Sequence, residues 1–367
     1  MEFTIPITTI LPALRRAADV ADRKSTMPML ANVCLRTNAT SLVVAATDLN
    51  TASITTIPLI GAKPGGLTLN AKALLDIVAN LPAGDVSVKK VENNWAEVKA
   101  KKVSYRIVGL PDRDFPKVPD DGEATFVATD AGALLGMLRA TQHSICSDET
   151  RFHLNGVLFE SNGTTARMVS TDGHRLAKAD RTLAGPALSS GVIIPRKGVL
   201  ELRKLLDGAK AIEIAVKLPY FFARRDGSVL AVKLINAQFP PYEQVIPKKH
   251  DRRAIVEREL LVAAVKRCAL MASETRGLKL ELAGGGLTIS TDHPERGDVR
   301  EEVDCDFAGE AIGVGVNPKY TLDLIAVLED VDEGAIAIEL NGALDPIVLR
   351  SVANPDAFVG VVMPMRI

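Results

Sequence analysis

One short pattern occurs three times in this chain, and its spacing constrains what the chain can fold into. Val43-Val44-Ala45-Ala46 runs into Thr47-Asp48, Met168-Val169-Ser170 into Thr171-Asp172-Gly173, and Leu287-Thr288-Ile289-Ser290 into Thr291-Asp292. The aspartates at 48, 172 and 292 lie 124 and then 120 residues apart, so each step covers about a third of the 367 residues. Each instance reads as a β-rich run turning a corner, where Asp can accept from nearby backbone N–H groups and Gly173 supplies the freedom a tight turn needs. A chain this long exceeds what one hydrophobic core normally holds. The spacing therefore predicts three copies of one large unit, and excludes a solenoid of short repeats.

The rest of the chain follows the same order three times. The first unit opens with Phe3-Thr4-Ile5 and a helix over Ile10–Ala18, with Pro12 in its first turn and Leu11, Leu14 and Ala18 on one face. Strands follow, then a second helix from Asn70, then closing strands and Asp114-Phe115-Pro116. The second unit starts with Phe126-Val127-Ala128, a helix capped by Thr129, and a second helix from Pro195, and closes with Gln238-Phe239-Pro240. The third has helices over Leu260–Arg267 and from Asn317. Aligning the three second helices places Lys72, Lys197 and Lys319 at one position and Asp76, Glu201 and Asp323 at another. Polar linkers at Pro119–Gly122 and Pro247–Arg253 set expected domains of 1–121, 122–250 and 251–367. The fold class expected is α+β, three tandem similar domains, each with two helices packed on antiparallel sheets.

Composition removes several functions. No run of about 18 apolar residues is present to span a bilayer, and the Met1–Pro6 start lacks a basic n-region and apolar h-region, so a cytoplasmic protein is expected. Cys34, Cys146, Cys268 and Cys305 are scattered without a C-x-x-C pair, which argues against a disulfide framework and a zinc site; no metal and no cofactor are expected. The formal net charge is −1, so an anionic partner must meet a local basic patch. Aromatics make up 4% of residues, too few for a single-strand stacking platform. Asp172 and His174 together suggest acid–base or metal chemistry, but Leu49-Asn50 and His293-Pro294 follow the other two aspartates, so no ligand set recurs. Gly284-Gly285-Gly286 lies between strand-like runs and reads as a turn, not a phosphate loop.

The chain as a whole resembles the bacterial sliding clamps, the beta subunits of DNA polymerase III. The resemblance is carried by Thr171-Asp172-Gly173-His174-Arg175-Leu176, Arg151 with Leu154-Asn155-Gly156, Val192–Gly198, Phe239-Pro240 with Tyr242, and Val361-Val362-Met363-Pro364-Met365-Arg366-Ile367. It implies a non-catalytic processivity subunit: two subunits closed into a six-domain ring around duplex DNA, helices inside and sheets outside. Twelve inner helices at roughly 8–10 Å spacing give a ring about 35 Å across through the helix axes. Subtracting about 5 Å of helix on each side leaves an opening near 25 Å, enough for a duplex of roughly 20 Å. The partners implied are double-stranded DNA without sequence readout, a second copy, and polymerase, clamp-loader and repair proteins that carry short clamp-binding peptides.

Three sets of site residues follow. Basic residues on or beside the helices, with Lys24 and the Arg151-Phe152-His153 loop added by the resemblance, make Arg15, Arg23, Lys24, Arg151, Phe152, Arg196, Lys197, Arg203 and Lys266 the DNA-facing candidates. Phe152 and His153 stand where the family often has tyrosines. A basic strand over Lys99–Arg106, with Lys102 and Arg106, and an acidic strand over Arg300–Asp306, with Glu301 and Glu302, suggest edges that pair between copies. The resemblance adds Ile107, Leu270 and Met271 to that interface. It also implies a peptide pocket of Leu154, Thr171, Gly173, His174, Arg175, Leu176, Pro240, Val245, Asn317, Tyr320, Val361, Met363, Pro364, Met365 and Arg366, and two methionines around a proline make an adaptable apolar surface. Gln244, Thr275 and Pro346 depart from the family pattern, which points to an altered peptide preference.

Overall fold

The computed structural model describes residues 1–272, 277–329 and 334–366, so Thr275 lies outside the described residues. Its helices are α1 (Ile7–Val20), α2 (Ala71–Ala79), α3 (Ala131–Gln142), α4 (Arg196–Leu206), α5 (Arg258–Ala269) and α6 (Pro318–Glu329), two for each expected copy. Helical spacing decides which faces are buried: Ile10, Ala13, Leu14 and Ala17 in α1, and Val199, Leu202, Leu205 and Leu206 in α4. Asn70 caps α2 by accepting from Ala73 N–H at 2.9 Å, and Asn317 caps α6 by accepting from Lys319 and Tyr320 N–H at 2.9 and 3.2 Å.

Two local expectations are corrected. Helix α1 starts at Ile7, so Pro12 lies inside the helix; both Pro12 and Thr8, the residue whose carbonyl loses its intrahelical donor, are exposed, so water can take that bond. Thr129 does not cap α3. It is buried in strand Val127–Asp130, two residues before the helix begins.

The chain divides into two compact units, Met1–Ala131 with Lys197–Leu234, and Gly132–Arg196 with Ile235–Ile367. The first unit holds a twelve-stranded antiparallel sheet. Eight strands of the first copy end at Thr51–Pro58, and the sheet continues through Ser228–Lys233, Tyr220–Arg225, Ala211–Lys217 and Val127–Asp130 of the second. The second unit holds a nine-stranded sheet, in which Val192–Pro195, Gly156–Ser161, Thr165–Thr171 and Arg175–Thr182 of the second copy continue into Phe358–Val362 and the third. A four-stranded sheet, in the order Gly297–Asp304, Gly286–His293, Leu278–Ala283 and Ile312–Val316, completes it. The middle copy is thus shared: half its strands belong to each unit.

Backbone pairing fixes which residues of the copies are equivalent. Leu35 faces Val44, which faces Thr55; Phe159 faces Met168, which faces Ala179; Leu280 faces Ile289, which faces Glu301. Val44, Met168 and Ile289 are all buried, as equivalent core positions should be. Three residues further on stand Thr47, Thr171 and Asp292, so the third corner is offset by one from the Thr-Asp alignment. Thr291 takes the place of Ala46 and Ser170, and His293 that of Asp48 and Asp172. The third hairpin is also one residue longer, and strand Gly286–His293 runs on to pair His293 with Gly297. The two edge segments are also redrawn. Lys101 and Lys102 form the turn between strands Trp95–Ala100 and Val103–Leu110, with Lys101 at φ +51°, and the acidic strand spans Gly297–Asp304, ending before Cys305.

Candidate functional site

The turn after strand Thr165–Thr171 is built by its own side chains. Thr171 Oγ1 donates to Arg175 O at 2.7 Å and accepts from Gly173 N–H at 3.1 Å, while Asp172 Oδ1 accepts from His174 and Arg175 N–H at 2.9 and 3.0 Å. Gly173 sits at φ +89°, and a Cβ there would lie 2.7 Å from an Arg151 guanidinium nitrogen. Arg151 holds the turn from outside by donating to Asp172 O at 2.7 Å.

Arg175 is the fixed centre of this region. Only 8% of its side chain is exposed; Nε donates to Asp172 Oδ2 at 3.1 Å, Nη1 to Asp323 Oδ2 on α6 at 2.5 Å, and Nη2 to His143 O. Its guanidinium carbon lies 4.4 Å from the centre of the Tyr320 ring, on which His174 also stacks at 6.4 Å. Burial, helped by the nearby Arg175 charge, pushes the His143 imidazole down to about 4, so it stays neutral at ordinary pH.

Strand Arg175–Thr182 then pairs with Phe358–Val362, placing Leu176 opposite Val361. Both are buried in an apolar cluster with Leu158, Val169, Ile193 and Tyr242, against which Phe239 and Ile246 pack. The covering segment is anchored at Tyr242, whose hydroxyl donates to Glu160 Oε2 at 2.8 Å and accepts from Arg167 Nη1 at 3.1 Å; burial comes first among the causes that push its phenol up to about 12. This anchoring carries Pro240 and the exposed Val245 beside the cluster. The tail is tied down by backbone bonds, Met363 N–H to His174 O and Met365 N–H to Gly315 O, each 2.8 Å. Met363, Pro364 and Met365 remain half-buried and Arg366 exposed.

The structure therefore brings together Thr171, Gly173, His174, Arg175, Leu176, Tyr320, Val361 and Met363 around one apolar floor with a polar rim. Asn317 is present as the cap of α6, and Leu154 is buried with its carbonyl accepting from Cys146 N–H at 3.1 Å. Asp172, Asp323 and Arg151 hold this arrangement. The sequence reading used Asp323 only as a repeat marker and assigned Arg151 to DNA; the contact with Asp172 O joins 151 to 172, which no local pattern reveals.

Among the DNA-facing candidates, Arg15, Arg23, Lys24, Arg196 and Lys266 are exposed, and Phe152 is 56% exposed in the short 3₁₀ segment Glu149–Leu154. Arg196 also donates to Ile145 O at 2.6 Å, and Arg203 is half-buried. Lys197 is committed elsewhere: its ammonium donates to Asp48 Oδ2 at 2.6 Å and Val20 O at 2.8 Å. Of the interface candidates, Lys102, Arg106, Leu270 and Glu302 are exposed, Ile107 and Met271 half-buried, and Glu301 meets Arg267 at 3.0 Å. No group of three or more His, Cys, Asp or Glu suited to hold a metal ion occurs among the described residues.

A unit of two helices on antiparallel sheets, used three times, with a buried apolar cluster under a polar rim and exposed basic residues on or beside its helices, defines a clamp-type binding protein. Models of the N-terminal, central and C-terminal domains of the DNA polymerase III beta subunit match residues 1–119, 129–241 and 243–366. The chain is 33% identical to the beta sliding clamp of Pseudomonas putida over 373 residues and 31% identical to that of Vibrio cholerae over 370, each match covering 100% of both chains. A crystal structure of the DNA polymerase III subunit beta from Pseudomonas aeruginosa superposes with a TM-score of 0.94 at 31% identity, again over 100% of both chains. The chain belongs to the DNA polymerase III beta subunit family, the bacterial sliding clamps. It is accordingly a processivity subunit and not a catalyst. No helix among the described residues is long and apolar enough to cross a membrane.

Proposed function

We propose that two copies of this chain close head to tail into a ring around duplex DNA in the cytoplasm, and that the recess at Leu176 and Met363 tethers polymerases and other DNA-processing proteins by short peptides. One observation carries the ring. At both internal junctions the strand following the corner receives a strand from the next copy in one register: Thr55 faces Ser228 and Ala179 faces Phe358, each the first residue of its strand. The remaining equivalents are Glu301 and Val103. Among the described residues, strand Gly297–Asp304 ends its sheet, and strand Val103–Leu110 meets Gly65–Asn70 only through Gly109 and Leu110, leaving Val103–Ile107 open. Continuing the register pairs Val103 with Glu301, Arg106 with Asp298 and Ile107 with Gly297 of the second copy.

That register satisfies open backbone groups and complements charge. Arg106 meets Asp298, and Lys102 comes beside Glu302. Met271 already lies 3.9 Å from where a Gly297 Cβ would be, so Ile107 arrives on an apolar spot that includes the 74%-exposed Leu270. Exposed Arg15, Arg23, Lys24, Arg196 and Lys266, with Arg203, then supply loose phosphate contacts without base readout. Phe152 is exposed as well.

Sedimentation tests the ring: the wild type runs as a dimer, and Glu301→Lys with Glu302→Lys runs as a monomer. A wild-type monomer at every concentration overturns it. Retention on nicked circular DNA after loading, with release when the circle is cut, tests encirclement. Met363→Ala is expected to weaken a labelled polymerase-derived peptide about tenfold without changing the dimer, as loss of one apolar anchor should.

A further inference from the structure

The two internal junctions share a feature beyond strand pairing: an ion pair between the corner of one copy and the second helix of the next. At the first junction Lys197 of α4 reaches Asp48 Oδ2 at 2.6 Å and Val20 O at 2.8 Å. At the second, Arg175 reaches Asp323 of α6 at 2.5 Å while Asp172 holds its other edge at 3.1 Å. Equivalence gives the components at the seam between copies. Lys72 and Asp76 of α2 stand for Lys197 and Asp323, because Ala71, Arg196 and Pro318 each begin their helix. His293 stands for Asp48 and Asp172, Gly297 for Thr51 and Arg175, and Met271 for Val20: each lies thirteen residues after the first residue of its helix, Arg258 or Ile7, with Met271 just past the end of α5.

We infer that the seam is the one junction built without this lock, and that position 293 sets how long the ring stays closed. The inference rests on the ring proposed above. Lys72 has a ready acceptor across the seam in the carbonyl of Met271, at the negative end of α5. What it lacks is the carboxylate. His293 sits in that place, its Nδ1 already accepting from Glu295 N–H at 3.2 Å, and Gly297 offers no side chain to Asp76. Lys72 instead pairs with Asp76 on its own exposed helix.

His293→Asp should complete the lock on the pattern of Asp48 and Lys197. Two identical seams close a dimeric ring, so one substitution counts twice. A partly exposed pair changes each seam about threefold, and the ring about tenfold. The measurement is subunit exchange between differently labelled dimers, with circular dichroism to verify folding. His293→Asp is expected to slow exchange about tenfold, His293→Asn to leave it unchanged, and His293→Asp with Lys72→Ala to restore the wild-type rate. The reversed pair, His293→Lys with Lys72→Glu, should also slow exchange. If dimers form but neither pairing slows exchange, or if Lys72→Ala leaves the slowing intact, the lock is wrong and the ring stands. If the wild type is a monomer, both fail.

Discussion

The first and second corners begin with the same Thr-Asp and cage their own turns in the same way, yet they fasten to the next copy with opposite polarity. Asp48 Oδ1 accepts from Asn50 and Thr51 N–H at 2.9 and 2.6 Å, as Asp172 Oδ1 does from His174 and Arg175. The first corner then offers an anion to Lys197, whose side chain is 39% exposed; the second offers a cation, the 8%-exposed Arg175, to Asp323. The shared dipeptide builds the turn, and the residues around it decide what the turn does. Inverting the pair at the second corner brings in a guanidinium that also packs on Tyr320 and fixes His143, so a joint becomes the wall of a recess.

The comparison can be broken most strongly at Arg175. Arg175→Ala leaves Asp323 and Asp172 without their buried counter-charge and is expected to cost about 3 kcal/mol by urea denaturation, with loss of peptide binding. Lys197→Ala, at the better-solvated junction, should cost only about 1 kcal/mol. Equal losses at the two sites would remove the distinction between them.

A second consequence is confined to the middle copy. The His143 imidazole has a folded value of about 4 against an ordinary 6.5, so the unfolded chain binds the extra proton between them. Stability from this residue is complete above about pH 6.5 and is lost as pH falls toward 4, at up to about 1.4 kcal/mol per pH unit. Stability curves of His143→Phe should be flatter over that window. If they keep the wild-type slope, another group carries it.

Smaller effects sharpen the contrast. Gly173→Ala, strained at positive φ and crowding Arg151, is expected to cost about 1–2 kcal/mol in thermal melts and to weaken peptide binding. Finally, Arg15→Ala should reduce the salt dependence of DNA binding by about one unit of slope, while Lys197→Ala leaves it nearly unchanged, because Lys197 is engaged with Asp48.

Much of this architecture was legible in the residues. Apolar spacing in the first helix, cap residues and the recurring order of the units located the six α-helices among the described residues, and the Thr-Asp repeat gave three copies, because these signals are local. The letters misalign the third corner by one, since Thr291-Asp292 imitates Thr171-Asp172 while strand pairing places Thr291 with Ser170. That error concealed His293 as the counterpart of Asp172. Sharing of the middle copy between two sheets could not be read, because it rests on pairings such as Ala179 with Phe358 that no local pattern encodes. The recess residues came from resemblance to the family; what the sequence alone could not assign was the division between Leu176 and Val361 as floor and Asp172, Asp323 and Arg151 as supports.

The pairing of Arg175–Thr182 with Phe358–Val362 also orders events during synthesis. Strand Arg175–Thr182 is made long before Phe358–Val362, so its outer edge stays open until those residues leave the ribosome. An exposed edge held that long invites wrong partners. A nascent chain stalled before Phe358 should therefore bind chaperones or aggregate, whereas emergence of Phe358–Val362 closes the sheet and completes the recess in a single step.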